Sequence, residues 1–155
     1  MAKLIMICGG LCCGKTTYAE AQGGVILSID ALMLALFGPD AGEMHDEYAR
    51  RAKAYLHYQT LSLLEAGVDV ILDWGFWTRA ERDETRALYE RRGFAVSLHA
   101  LDIPEETWRE RVAKRNAAVR AGRASAYYVE EGLAAKFRAR YEKPEDGEVD
   151  VWARE

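Results

Sequence analysis

Short apolar runs alternate along this chain with longer stretches whose apolar residues recur every three to four positions. Residues 4–8, 25–29, 70–73 and 95–101 read as strands, and 149–152 as a weaker fifth. Two of these runs are nearly continuous in Val, Ile and Leu, which suits strands buried on both faces of a parallel sheet. Between them, helical patterns cover 15–22, 31–37, 44–66, 78–92, 104–119 and 129–141. The punctuation agrees with these limits. Gly23-Gly24, Gly38-Pro39, Gly67 and Gly93 close four of the helices, Thr78-Arg79-Ala80-Glu81 has the form of a capping box, and Pro104 suits a first helical position. Such alternation predicts an α/β fold, a doubly wound parallel five-stranded sheet that binds ligands at the carboxyl ends of its strands.

Composition narrows the class. At 155 residues the chain predicts one domain, 1–155, with ordinary globular content: half hydrophobic and 30% charged. The net charge of −4 (21 − 25) argues against an extended nucleic-acid backbone as main partner, because tracking phosphates needs a basic face. No apolar run approaches the roughly 18 residues of a membrane span. Cys8, Cys12 and Cys13 are an odd, clustered set, which reads as reduced thiols and a cytoplasmic location. The region around 111–126 is basic, and Arg120, Gly122 and Arg123 sit there with little apolar content, as in a mobile lid loop.

The chemistry begins with Gly9-Gly10-Leu11-Cys12-Cys13-Gly14-Lys15-Thr16, which satisfies G-x-x-x-x-G-K-T between a strand and a helix and runs on to Thr17. Glycines let the backbone curl so that several N–H groups face one anion, and the helix N-terminus adds its positive end. Lys15 would reach the outer phosphates of a nucleoside triphosphate, and the Thr16 hydroxyl would be a magnesium ligand. The N-K-x-D loop of switch GTPases does not occur. Leu27-Ser28-Ile29-Asp30 ends the second predicted strand with a carboxylate on the same sheet edge. That carboxylate suits either a general base for an attacking hydroxyl or a simple helix N-cap.

These elements, with Val70-Ile71-Leu72-Asp73-Trp74-Gly75-Phe76-Trp77 and the stretch from Arg111 to Asn116, make the chain resemble a family of small phosphate-loop kinases. The family includes chloramphenicol phosphotransferase, the zeta toxins, the 5′-hydroxyl kinase domain of polynucleotide kinases and many short bacterial proteins called predicted AAA-domain kinases. The resemblance implies a fold of the P-loop nucleoside-kinase type with a helical lid, and ATP and Mg²⁺ as cofactors. It implies that Asp30 is the hydroxyl-activating base and that Asp73 lies near the magnesium shell or the acceptor. It also implies that lid arginines clamp the nucleotide phosphates, a role that fits Arg115 best, with Arg111, Arg120 and Arg123 competing. The chain departs from the family in Leu11-Cys12-Cys13, where small residues are common, and in the aromatics after the third strand, where polynucleotide kinases carry polar residues.

On the acceptor side, Trp74, Phe76 and Trp77 suit either a wall for a flat or sugar-like ligand or packing against the long helix. Arg79 and Arg82 would hold an acceptor anion or lie on the helix surface. Asp40, Glu43, Asp46 and Glu47 around His45 would favour a cationic acceptor or form a solvated rim. His45, His57 and His99 show no metal-ligand spacing. Cys13, just before a helix N-terminus, is expected to have a lowered thiol pKa. Together these readings predict an ATP-dependent kinase for a hydroxyl of a small molecule. The alternatives are a kinase for a nucleotide, nucleotide-sugar or polynucleotide 5′-hydroxyl, and an ATP-binding regulatory module without its own acceptor.

Overall fold

The computed structural model describes residues 1–123 and 131–154, with backbone alone for 131–133. Five strands, β1 (Lys3–Cys8), β2 (Val25–Ser28), β3 (Val70–Gly75), β4 (Ala95–Asp102) and β5 (Val151–Arg154), form one sheet in the order β2-β3-β1-β4-β5. Every pairing is parallel, so the doubly wound sheet expected from the apolar runs is the fold observed. The helices are α1 (Lys15–Glu20), α2 (Ile29–Phe37), α3 (His45–Glu65), α4 (Arg79–Glu90), α5 (Glu105–Arg120) and α6 (Glu131–Arg140).

β1 lies at the centre, and five of its six residues are buried, which is why its sequence is continuously apolar rather than alternating. One face packs Leu4, Met6 and Leu72 against Met33 of α2, Leu56 and Leu64 of α3 and Tyr89 of α4. The other packs Ile5, Ile7 and Ile71 against Ala19 of α1. From β1 the chain passes through α1 to β2 at one edge, returns to β3 beside β1, and then crosses β1 to β4 on its other side, so the strand order reverses at β1, where such folds bind ligands.

Of the boundaries that differ from the sequence reading, three have a clear local reason. The second strand stops at Ser28, whose hydroxyl accepts from the Ala31 amide at 3.2 Å and starts α2 at Ile29. Asp30 is therefore in the first turn of a helix, and the cap is Ser28. β3 runs past Asp73 to Gly75, and its register against β1 jumps from Ile7↔Asp73 to Cys8↔Gly75, which leaves Trp74 as an extra bulged residue. β5 begins at Val151, two residues late, after the Asp150 carboxylate has accepted from the Leu98 amide at 2.7 Å. The capping box holds in its main part: Thr78 Oγ1 accepts from the Glu81 amide at 3.2 Å. The expected lid, 111–126, is helical as the second part of α5 as far as Arg120, so the loop expected around Arg120 begins only at the turn 121–123; its remainder, 124–126, and the expected helix start at Val129 lie outside the described residues. Among the described residues, no helix is long and apolar enough to cross a membrane.

Candidate active site

The segment from Gly9 to Thr16 wraps the end of β1 and passes into α1. Gly14, before the helix, has φ +94°, and Cys12 is also left-handed at +54°. The close approaches explain the first two glycines better than their torsions do. A Cβ on Gly9 would come within 2.4 Å of Cys13 Sγ, and one on Gly10 within 2.6 Å of the Phe137 ring of α6. The Lys15 ammonium donates to the Gly10 carbonyl at 2.9 Å, and so is folded over the concavity that it would share with an anion. A Cβ on Gly14 would lie 3.4 Å from Arg111 Nη1, which puts a guanidinium of α5 above the loop.

An open cleft of about 1410 Å³ runs along this sheet edge. It is lined by Leu11, Cys12, Cys13, Gly14, Lys15, Thr16 and Thr17 of the loop, by Asp30 and Asp73, and by Arg111 and Arg115 of α5. The cleft thus brings together candidates spread over about a hundred positions. Thr16 Oγ1 donates to Asp73 Oδ2 at 3.1 Å, which joins the loop to β3. Asp73 is 5% exposed; burial pushes its carboxyl above the ordinary range, Lys15 and the Thr16 hydroxyl pull it back, and the charge of Asp30 pushes it up again. The two carboxylates therefore feel each other across the cleft.

The shift of Asp73 has a measurable consequence. An acid whose folded pKa lies above its unfolded value favours the folded state while protonated, and that advantage is lost as pH rises from about 4 through the folded value. Ionised Asp73 is thus a standing cost at neutral pH. Asp73→Asn is expected to raise Tm by about 2–5 °C at pH 7.5, with the gain shrinking toward pH 4.5, while weakening binding of a magnesium–nucleotide complex. Thermal unfolding at the two pH values, paired with a nucleotide titration, checks both halves; a lowered Tm at pH 7.5 would contradict it.

Other candidates lie elsewhere. Trp74 is 7% exposed and donates Nε1–H to the Leu27 carbonyl at 3.0 Å, so its indole packs between β2 and the helices and is no ligand wall. Trp77 meets the Phe137 ring edge-on at 5.0 Å, and its carbonyl accepts from the Glu142 amide at 2.7 Å, so it seats α6. Arg79 pairs with Asp83 at 2.9 Å and Glu148 at 2.7 Å. Arg82 is 2% exposed, paired with Glu148 and bonded to the Phe76 carbonyl at 2.8 Å. None of these four lines the cleft, and the anion-holding role expected for Arg79 and Arg82 gives way to internal pairing. The acidic rim is also engaged in part: Glu47 holds Arg50 and Arg51, and Asp40 accepts from the Gly42 amide.

The thiol expectation is reversed. Burial pushes Cys13 and Cys12 above the ordinary thiol range; Lys15 at Cys13, and Arg115 at Cys12, only partly offset it. Desolvation outweighs the helix end because Cys13 is 4% exposed, with its sulfur turned onto Gly9. His57 and His99 are held by tyrosines, Tyr89 at 2.6 Å and Tyr18 at 2.8 Å, and burial lowers both imidazoles.

Sequence reasoning overlooked Phe137, Lys114 and Arg154. Lys114 shares the helical turn of Arg111 and Arg115, a spacing that was available to find it. Arg154, at the end of β5, and Phe137, against Gly10, reach the site only through the tertiary fold.

This sheet order, with a glycine-rich loop closing β1, defines an α/β protein of the phosphate-loop kinase type. The chain matches the AAA_33 family model, described as an AAA domain, over residues 4–144, and it belongs to that family. No curated protein matches it in sequence. Among solved structures it is similar to a candidate kinase of Chloroflexus aurantiacus, with a TM-score of 0.73 at 18% identity over 99% of this chain and 86% of that one. Chaetomium thermophilum Kti12, in complex with ADP-AlF3, gives 0.69 at 20% over 98% and 88%. The Mycobacterium tuberculosis APS kinase CysC, in complex with AMPPNP and APS, gives 0.62 at 17% over 99% and 88%. At these identities the likeness establishes a common fold.

Proposed function

We propose that this protein is an ATP-dependent phosphotransferase that moves the γ-phosphoryl group to a hydroxyl of a small molecule. The observation that carries the reading is the meeting of Lys15, Thr16, Asp73 and Asp30 on one cleft at the sheet edge. A site that only bound a magnesium nucleotide would use Asp73 but would have no task for Asp30.

The loop amides and Lys15 hold the β- and γ-phosphates, and Arg111 and Arg115 approach from α5. Thr16 Oγ1 and Asp73 Oδ2 are hard oxygens 3.1 Å apart, a donor pair that fits Mg²⁺, which keeps most of its shell for water and phosphate. The ion would neutralise charge on the phosphates. The acceptor oxygen attacks the γ-phosphorus as the bond to the β–γ bridging oxygen breaks; its proton passes to the Asp30 carboxylate, and ADP leaves. Catalysis in this scheme is positioning and charge stabilisation.

The test is ADP release from Mg·ATP with amino sugars, chloramphenicol-like alcohols, nucleosides, nucleotide-sugars and 5′-hydroxyl oligonucleotides. Stimulation by one small-molecule class is the expected result. Stimulation by oligonucleotides or nucleotide-sugars alone moves the reading to a polynucleotide or nucleotide-sugar kinase. A slow turnover that no acceptor raises replaces it with an ATP-binding regulatory module.

A further inference from the structure

Directly behind the phosphate loop, the chain leaves β3 through two successive left-handed residues, Gly75 at φ +81° and Phe76 at +49°. Glycine accepts that torsion freely; phenylalanine does not, so its surroundings must hold it there. The Phe76 ring is fully buried, and its carbonyl accepts from Arg82 Nη1 at 2.8 Å and from the Cys8 thiol at 3.4 Å. The Gly75 carbonyl accepts from the Gly9 amide at 3.0 Å. The last residue of β1 and the first of the loop are both fastened to this turn.

Arg82 fixes the turn from below. It lies one turn into α4, 2% exposed, with Nη1 on Phe76 and Nε on Glu148, whose side chain is 6% exposed and shared with Arg79. A guanidinium directs two donors to separate partners in a rigid plane, which a lysine ammonium does not reproduce. A buried ion pair adds little net stability over well-packed apolar residues, so what Arg82 supplies is geometry.

We propose that Arg82 is a positioning residue for the phosphate loop: through the Phe76 carbonyl it holds the left-handed turn that anchors the Gly9 amide and Cys8. The consequence for nucleotide binding rests on the function proposed above; the structural link does not. Arg86 supplies an internal control. It clamps the same C-terminal segment, to the Glu148 carbonyl at 3.1 Å and Asp150 at 2.6 Å, and also bonds Val96, but touches neither the turn nor the loop.

The experiment compares full-length Arg82→Lys and Arg86→Lys by amide hydrogen exchange over residues 9–14, by Mg·ATP binding and by thermal unfolding. Both variants are expected to lose some stability. Arg82→Lys alone deprotects the loop and weakens ATP binding by about tenfold or more, the scale expected for a misplaced binding group. Should Arg82→Lys not fold, the double variant Arg82→Met with Glu148→Met replaces the pair by apolar volume and is expected to show the same loop deprotection. Unchanged loop exchange in the folded variant, or equal changes in Arg86→Lys, overturns the proposal. A wild type that binds no ATP, with loop exchange still specific to Arg82, defeats the kinase reading and leaves the positioning role standing.

Discussion

Asp30→Asn is expected to lower acceptor-stimulated ADP release by about 10²–10⁴-fold, the usual contribution of a positioned general base. Nucleotide affinity should stay near that of the wild type, because the proposed scheme gives phosphate binding to the loop amides, Lys15 and α5. The fold should survive as well. The position would matter structurally if its carboxylate capped α2, but Ser28 Oγ performs that task through the Ala31 amide. Asp30 is exposed to the cleft in the first helical turn, and asparagine occupies that turn without strain. A loss of kcat with KM for ATP and Tm both preserved is the signature to look for. A variant as active as wild type with a responsive acceptor would remove Asp30 from the chemistry, and one that unfolds would assign it a structural part.

Lys15→Met should act on the other substrate. The ammonium is held 2.9 Å from the Gly10 carbonyl, over a loop whose second residue is crowded by Phe137, so the charge is in place before any anion arrives. Preorganised charge at the transferring phosphoryl group is worth on the order of 10²–10³ in rate, and a loss of at least that size in kcat/KM for ATP is expected. Methionine keeps the length of the stem, so Tm should move by only a few degrees. Lys15 is also the main group that pulls the Asp73 carboxyl back toward ordinary acidity. Without it the acid limb of any residual activity should move to higher pH. Affinity and rate equal to wild type would show that the loop does not hold phosphates.

The two substitutions are complementary, since one should lower transfer with ATP affinity intact and the other should impair the use of ATP itself. A protein that merely senses ATP would respond to Lys15→Met and ignore Asp30→Asn, which separates the kinase reading from the regulatory one in a single pair of variants.

Both predictions use residues visible in the amino-acid string, and the reason is local. The G-x-x-x-x-G-K-T spacing, the apolar run before it and the helical pattern after it lie within about twenty residues, where backbone torsion and periodicity decide the outcome. Asp30 was visible because strand and helix are contiguous there. Its setting was misread by two residues, since Ser28 and Asp30 are both good caps and only the hydrogen bond to Ala31 chooses between them. Arg82 was misplaced, and Trp74 left between ligand wall and core, for a different reason. A helical arginine near a motif looks solvent-facing unless Glu148, 66 positions later, is known to meet it. A tryptophan after a buried strand faces a ligand or the core according to a one-residue bulge.

Local sequence therefore determined the strands, the helices, the parallel sheet and the phosphate loop, because their signals repeat at short range along the chain. The tertiary structure alone decided which charges share the cleft. It joined Thr16 to Asp73 and set Arg111 over Gly14, while Cys8 was buried against Phe76 and Arg82 against Glu148, far away in sequence. Burial and long-range pairing control a charged side chain through desolvation, and desolvation depends on what packs around it once the whole sheet is assembled.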